Sequence, residues 1–229
     1  MNTQDYYPFH VFVHCDDGRI RSESENMPYI DLYWLNKVFN EYKKPGMVAY
    51  EIGSWTGMST CCIGSVVKEC GGKMVAIDNF SGASDNQREY VRTVDVKELL
   101  ENNIKRFGLQ DCVEMKNCNS NDCYEEVPDE YIDFLFIDGD HRYDQVKKDL
   151  DNWVPKVKEG GIICGHDYDG LSYDEEHVNK DFHNDRHHGV IKAVSERFGS
   201  MVRFMVFRKD DTQKIASKVW FNIKGETDG

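Results

Sequence analysis

The stretch Ala49–Ser59 reads A-Y-E-I-G-S-W-T-G-M-S and is the most informative part of this chain. A short apolar strand runs into a turn that contains Gly53 and Gly57 and then opens a helix. Such a turn presents backbone N–H groups to a ligand at the carboxyl edge of an α/β sheet. Burying the Glu51 carboxylate in the strand is costly unless it contacts a cation or hydrogen-bond donors. A ligand with hydroxyl groups and a positively charged centre would supply both. The spacing Gly-x-x-x-Gly is not the dinucleotide fingerprint, so a tight turn without a ligand is the alternative.

The bulk properties indicate one globular domain without a basic surface. The chain has 229 residues, of which 40% are hydrophobic, and a formal net charge of -13. The negative charge argues against nucleic-acid or anionic-membrane partners. Eight cysteines without a repeated spacing suit a reducing compartment. No long apolar run and no signal-peptide pattern are visible, so we expect a cytoplasmic protein.

Apolar periodicity predicts alternating strands and helices along most of the chain. After a short strand within His10–His14, the predicted helices are Tyr29–Tyr42, Met58–Glu69, Val94–Phe107 and Val190–Phe198. A further helix is predicted to carry Tyr143, Val146, Leu150 and Trp153 on one stripe and to end at Pro155. The predicted strands are Met47–Ile52, Met74–Ile77, Cys112–Lys116, Tyr131–Ile137, Gly161–Cys164, Val202–Phe207 and Lys218–Ile223, with Gly160-Gly161 closing a unit and Lys209–Lys214 forming a polar turn. Repeated β-α units predict an α/β fold: a doubly wound, mostly parallel seven-stranded sheet with helices on both faces and a C-terminal antiparallel hairpin.

Two boundaries follow from this pattern. We expect residues 1–45 to form an N-terminal helical cap and 46–224 to form the main domain. Within it, Asp169–His188 has no apolar stripe but holds four of the eight histidines. It is predicted to be a loop after the fifth strand, and a lid over the ligand edge and a disordered insert both produce this composition.

Polar side chains end most of the predicted strands, where open α/β sheets bind ligands. Asp78 ends the second strand and is well placed to accept hydrogen bonds from ribose hydroxyls; its alternative role is to turn the chain before Phe80. Asp138 ends the fourth strand, and His166 and Asp167 end the fifth.

The carboxylates of Asp138 and Asp167 should converge beside His166, and a divalent cation is the simplest group that neutralises them. Oxygen donors suit Mg²⁺, Ca²⁺ or Mn²⁺, whereas imidazole participation favours Mn²⁺, Fe²⁺ or Zn²⁺. The alternative is a pair of solvated turn carboxylates.

Four motifs in this order, E-I-G-S-W-T-G-M-S, A-I-D-N, F-I-D-G-D-H-R-Y and G-G-I-I-C-G-H-D-Y, resemble the class I S-adenosylmethionine-dependent methyltransferases, which have a Rossmann-like fold. More narrowly, they resemble the catechol and macrocin O-methyltransferase-like families. The resemblance implies S-adenosyl-L-methionine as cofactor and a divalent metal, Mg²⁺ first and Mn²⁺ next. It implies that Asp78 holds the ribose, that Asn119 and Ser120 lie beside the adenine, and that the methionine half is surrounded by Glu51, Gly53, Ser54, Trp55, Gly57 and Ser59.

The same resemblance implies the catalytic residues. Asp138 and Asp167 would be metal ligands, with His166 where relatives commonly have another acidic ligand. His141 lies where catechol-type enzymes place the lysine that accepts the substrate proton; a surface histidine opening the Tyr143 helix is the alternative.

The expected function is therefore metal-assisted methylation of a hydroxyl on a small molecule, such as a sugar moiety or a polyphenol. Tyr6, Tyr7, Phe9 and the Asp169–His188 loop should build the acceptor pocket. A metal-dependent hydroxylase-like enzyme and a non-catalytic cofactor-binding module are the alternatives, although the adjacent His187 and His188 should point apart. The sequence leaves the oligomeric state open, and a homo-oligomer is compatible with it.

Overall fold

The computed structural model describes residues 12–14, 20–22, 27–168, 170, 172–183, 186–208 and 214–226. The predicted acceptor residues Tyr6, Tyr7 and Phe9 lie outside the described residues, as do His10, parts of the Asp169–His188 loop and most of the predicted Lys209–Lys214 turn. No helix in the described ranges is long and apolar enough to span a membrane.

The elements alternate along the chain as the apolar pattern predicts. The helices are α1 (Tyr29–Tyr42), α2 (Met58–Glu69), α3 (Asp85–Tyr90), α4 (Val96–Arg106), α5 (Ser120–Cys123), α6 (Tyr143–Trp153) and α7 (His188–Phe198). The strands are β1 (Phe12–His14), β2 (Ile20–Ser22), β3 (Val48–Ile52), β4 (Lys73–Asp78), β5 (Val113–Asn117), β6 (Ile132–Ile137), β7 (Val157–Gly165), β8 (Arg203–Arg208) and β9 (Lys214–Ile223).

The main sheet has seven strands in the order β5-β4-β3-β6-β7-β9-β8. The first five strands of this order run parallel, and β9 is antiparallel to both of its neighbours. The predicted doubly wound sheet with a C-terminal antiparallel hairpin is confirmed. The chain order reverses between β3 and β6, and ligands bind at such a switch point in open α/β sheets.

Strand β6 shows how the sheet is buried on both faces. Phe134 and Phe136 pack into an apolar cluster with α1, α2 and α4. Leu135 and Ile137, which alternate with them, pack into a second cluster with α6 and α7. The uninterrupted apolar run of β6 follows from this burial, because alternate side chains enter opposite cores.

Two local features differ from the expectations. Strand β7 begins at Val157 rather than Gly161, and its pairing with β6 shifts register around Gly160 and Gly161. The glycine pair is thus an irregularity inside the strand rather than a break before it, since Gly160 has a φ of +73° that few other residues adopt. Cys118 and Cys123 form a disulfide, which the unpatterned spacing did not suggest.

Candidate cofactor and metal site

The turn after β3 packs tightly against the end of β6. Gly53 has a φ of +87°, and a Cβ atom there would lie 2.1 Å from the carbonyl oxygen of Asp138. Only glycine fits this contact, because a side chain would collide with backbone. The turn therefore holds the tips of the two strands at the switch point together.

Glu51 lies beneath this turn and is fully buried. Its Oε2 atom accepts a hydrogen bond from the Thr60 hydroxyl, whereas its Oε1 atom has no hydrogen-bond partner among the residues that the structure describes. Burial raises the pKa of Glu51 to about 8, although hydrogen bonds from Ser59 and Thr60 oppose the shift. This raised pKa favours the protonated side chain at neutral pH.

Asp78 has the turn role that was considered for it, while its ribose-binding role stays a prediction. Its Oδ1 atom accepts a hydrogen bond from the Phe80 N–H at 2.7 Å, and its Oδ2 atom accepts one from the Trp55 N–H at 2.8 Å. Burial raises its pKa while these backbone bonds lower it. The carboxylate thus fixes two turns and also lines the cavity between them.

A cavity of about 340 Å³ opens above the ends of β3, β4, β5 and β6. Of the predicted cofactor residues, the structure places five in its lining: Gly53, Trp55, Asp78, Asn119 and Ser120. The other four, Glu51, Ser54, Gly57 and Ser59, are buried beneath the turn or in the start of α2. Five of the predicted cofactor residues therefore line the cavity, and the other four are packed behind them.

Asp149 also lines the cavity, and sequence reasoning missed it. Its Oδ1 atom accepts hydrogen bonds from the Ser120 hydroxyl at 2.6 Å and from Gln145 Nε2 at 3.1 Å. Burial raises the pKa of Asp149 to about 6. A signal was present, because Asp149 occupies the apolar stripe of α6 between Val146 and Trp153.

Beside this cavity, the predicted metal ligands come together. The Nδ1 atom of His166 lies 3.2 Å from Oδ1 of Asp167 and 3.9 Å from Oδ1 of Asp138. One ligand atom from each of these residues lies within 4.8 Å of the others. Asp138 also lines the cavity, so the two sites share this carboxylate.

His141 and His187 join the same cluster. The Nε2 atom of His141 lies 3.0 Å from Oδ2 of Asp167, and the Nδ1 atom of His187 lies 3.2 Å from its Oδ1. These three residues form a second group whose ligand atoms lie within 4.8 Å of one another. His188 bonds elsewhere: its Nδ1 atom accepts a hydrogen bond from the Asp174 N–H. Sequence reasoning placed His141 here as a proton acceptor and missed His187.

Two further carboxylates support the imidazoles from behind. Oδ2 of Asp31 lies 3.1 Å from Nε2 of His166, and Oδ1 of Asp181 lies 2.8 Å from Nδ1 of His141. Burial opposes protonation of both histidines, yet the surrounding carboxylates raise the pKa of each well above its ordinary value. Burial likewise opposes ionisation of Asp167, but the charges of His166 and His141 hold its pKa well below its usual range.

The comparison with known families identifies the domain that carries the cavity. Residues 50–168 match a protein family described as a methyltransferase domain. The chain belongs to this family. The match spans β3 to the residues just after β7, and so includes the cavity and the Asp138 and Asp167 carboxylates of the methyltransferase domain.

Two relatives of the chain are named only as uncharacterised proteins. A protein of Acanthamoeba polyphaga mimivirus is 24% identical over 144 residues, which are 61% of this chain and 60% of that protein. A protein of Sinorhizobium fredii is 37% identical over 43 residues, 19% of this chain and 5% of that protein. The chain thus spans less than two thirds of the length of either relative.

Solved methyltransferases share the fold of the domain at low sequence identity. An O-methyltransferase from Bacillus cereus, solved with S-adenosylhomocysteine, is 19% identical with a TM-score of 0.57, covering 86% of this chain and 81% of that one. The O-methyltransferase of tomaymycin synthesis from Streptomyces achromogenes, solved with S-adenosylmethionine, is 13% identical with a TM-score of 0.59, covering 87% and 82%. These likenesses confirm the predicted class I methyltransferase fold.

Proposed function

We propose that this methyltransferase domain transfers the methyl group of S-adenosylmethionine to a hydroxyl of a small molecule, with a divalent cation beside the cofactor. One observation carries the proposal: Asp138 lines the cavity and also belongs to the Asp138, His166 and Asp167 group. A donor in the cavity and an acceptor on the cation would therefore be neighbours, and alignment of donor and acceptor is the main requirement of an in-line transfer.

The residues of the cavity fit the proposed cofactor. Asp78 presents a carboxylate at the end of β4, the place where ribose hydroxyls are bound in related folds. Gly53 lets the β3 turn approach a ligand closely, and Ser120 and Asp149 offer polar groups further along the same wall. A cavity of about 340 Å³ is of the size that encloses small-molecule ligands. The cofactor supplies a methyl group on a positively charged sulfur.

The residues of the cluster fit a cation. Asp138 and Asp167 supply carboxylate oxygens, His166 supplies an imidazole nitrogen, and all three are oriented toward one volume. A divalent ion at this position lowers the pKa of a coordinated hydroxyl and fixes its oxygen. The proton-accepting role of His141 stays a prediction, because both of its ring nitrogens lie within hydrogen-bonding distance of carboxylates.

The proposed acceptor carries adjacent hydroxyls, as sugars and polyphenols do. Phe182 supports an aromatic or sugar ring, because its side chain is 50% exposed and its ring centre lies 4.9 Å from that of His187. An exposed aromatic ring beside a polar cluster is a suitable platform for such a molecule.

A hydroxylase-like activity is the second candidate. Three imidazoles, those of His141, His166 and His187, surround the Asp167 carboxylate. Imidazole-rich sets also suit redox-active iron. Consumption of S-adenosylmethionine separates the two candidates, since only the methyltransferase requires it.

The test uses calorimetry for cofactor binding and mass spectrometry for methyl transfer to a panel of catechols and sugars. We expect Asp138→Ala and Asp167→Ala each to abolish transfer while leaving cofactor affinity nearly unchanged. Asp111→Ala is the control, because this exposed residue lies just before the amino end of β5, whereas the site lies at the carboxyl ends of the strands. Full transfer by both site variants, or transfer indifferent to a chelator, would refute the metal role; absence of cofactor binding by the unaltered protein would refute the function.

A further inference from the structure

We propose that His141, Asp167 and His187 form a binding site for a transition-metal ion, Mn²⁺, Fe²⁺ or Zn²⁺, and that this ion ties the segment before α7 to the sheet. The inference concerns the cation of the proposed function and does not depend on methyl transfer. It differs from the expectation of Mg²⁺, and it adds two ligands to those that the strand ends predict.

The ligand atoms come from three separate segments. His141 follows β6, Asp167 follows β7, and His187 immediately precedes α7. Their donor atoms nevertheless lie within 4.8 Å of one another, and the rings of His141 and His187 meet edge to face with centres 4.5 Å apart. Side chains from distant parts of the sequence thus converge on the single carboxylate of Asp167.

The hydrogen bonding of His141 leaves its Nε2 atom to hold either a proton or a metal ion against Asp167. Its Nδ1 atom lies 2.8 Å from the Asp181 carboxylate and therefore carries a hydrogen. In the neutral ring, Nε2 then has a lone pair, which faces Oδ2 of Asp167 at 3.0 Å. A lone pair and a carboxylate repel at this distance unless a proton or a metal ion lies between them.

The carboxylates of Asp181 and Asp31 favour a metal ion over a proton at this position. Metal-ligating histidines almost always donate their other ring N–H to a carboxylate, a carbonyl or water, which fixes the tautomer and the ring orientation. Asp181 supports His141 in this way, and Asp31 supports His166, whose other ring nitrogen lies near Asp167. Asp181 and Asp31 thus orient two imidazoles toward the Asp167 carboxylate, as the supporting carboxylates of metal-binding histidines do.

The backbone is arranged to bring the segments together. Asp167 has a φ of +62°, a left-handed backbone conformation that few residue types other than glycine, asparagine and aspartate adopt. Gly189 packs so closely that a Cβ atom there would lie 2.3 Å from the carbonyl oxygen of His141 and 2.4 Å from that of Val178. This absence of a side chain lets the start of α7, and with it His187, approach the loop after β6.

The donor set selects the class of metal. Imidazole nitrogen suits zinc, manganese and iron, whereas Mg²⁺ prefers oxygen ligands and retains several waters. Two imidazoles and one or two carboxylates therefore favour a transition metal. Since His187 lies in the predicted lid, its coordination would restrain that segment, which already contacts the start of α6, where the Tyr143 N–H donates to the Val178 carbonyl at 2.8 Å.

The test measures metal affinity and backbone protection on the full chain without cofactor. We expect Zn²⁺ and Mn²⁺ to bind at least tenfold more tightly than Mg²⁺ by calorimetry. His187→Ala and the milder His187→Gln should each weaken Zn²⁺ binding at least tenfold. His177→Ala, in the same loop but outside the ligand group, should change it less than twofold.

Hydrogen exchange supplies the second readout. Zn²⁺ should slow exchange of residues 172–183 in the unaltered protein and in His177→Ala, but not in His187→Gln. Equal affinity for Mg²⁺ and Zn²⁺, or Zn²⁺ affinity unchanged in a folded His187→Gln protein, would overturn the inference and leave the proposed function intact. Binding of Zn²⁺ through His187 by a protein that does not bind S-adenosylmethionine would retain the inference and remove the function.

Discussion

The Nε2 atom of His166 lies 3.1 Å from Oδ2 of Asp31, although 135 residues separate them in the sequence. Both side chains are buried. The Oδ1 atom of Asp31 accepts hydrogen bonds from the Ser217 hydroxyl and, at 2.8 Å, from the Lys218 N–H. One carboxylate from α1 thus joins the end of β7 to β9, and it orients the imidazole that faces Asp167.

Replacing this carboxylate should weaken the proposed metal site and the fold together. In Asp31→Asn, the amide carries no charge and cannot accept all three hydrogen bonds. We expect metal affinity to fall about 10- to 100-fold and the free energy of unfolding to fall by about 1–3 kcal/mol. Calorimetry and urea denaturation measure the two effects, with Glu41→Gln at the exposed end of α1 as control. Unchanged metal affinity would mean that Asp31 has only a structural role.

The contact between the β3 turn and β6 can be tested with a matched pair of glycine substitutions. Gly53 and Gly46 have φ values of +87° and +69°, but a Cβ atom at Gly46 would have nothing within 4 Å. Both changes to alanine therefore introduce backbone strain of about 1 kcal/mol, and only Gly53→Ala adds a collision with Asp138. We expect loss of cofactor binding in Gly53→Ala alone, measured by calorimetry. Similar binding by the two variants would contradict the close packing described here.

Asp149 should destabilise the protein above its own pKa. Its folded pKa of about 6 exceeds the unfolded value of 3.8, so the folded state binds the proton more tightly between these limits. The contribution of Asp149 to the free energy of unfolding is fully present below about pH 4 and is lost as the pH rises through about 6. We expect Asp149→Asn to match the unaltered protein at pH 4 and to exceed it by about 3 kcal/mol at pH 7 in urea denaturation.

The same substitution separates a functional role for Asp149 from a structural one. If the carboxylate binds the cofactor, Asp149→Asn should weaken cofactor affinity while it stabilises the fold. Such a trade-off between function and stability is common at binding sites. A more stable protein with unchanged affinity would remove Asp149 from the binding site.

Glu51 should release a proton when a positively charged ligand binds. Its pKa of about 8 reflects burial and, to a smaller extent, the charges of Asp138 and Asp78 at the cavity wall. A positive charge in the cavity would lower this pKa, so binding at pH 7 should release up to about one proton. Calorimetry in two buffers of different ionisation enthalpy measures the release, and Glu51→Gln should abolish it. Identical heats in both buffers would show that the ligand charge does not reach Glu51.

The fold was predictable where local sequence decides burial. Helices α1 and α2 have the predicted bounds, and β6 differs by one residue, because each has a clear apolar pattern. Helix α3 was missed since none of its residues is buried and it has no stripe. Its start instead depends on the capping box between Ser84 and Gln87.

The candidate site was predictable only at the strand ends. Asp78, Asp138 and Asp167 follow apolar strands directly, so the parallel sheet brings them to one edge. Asp31 and His187 reach the same cluster through the packing of α1 and of the segment before α7, which no local pattern specifies.

The position of β9 sets the order in which the site is assembled. This strand pairs with β7 on one side and β8 on the other, and its Ser217 and Lys218 hold Asp31 in place. During translation β9 leaves the ribosome after the other six strands described for this sheet, so a growing chain has the Asp138 and Asp167 carboxylates before it has the contacts that hold Asp31. Binding of the proposed ion should therefore require the completed sheet, and nascent chains that lack β9 should be unable to retain it.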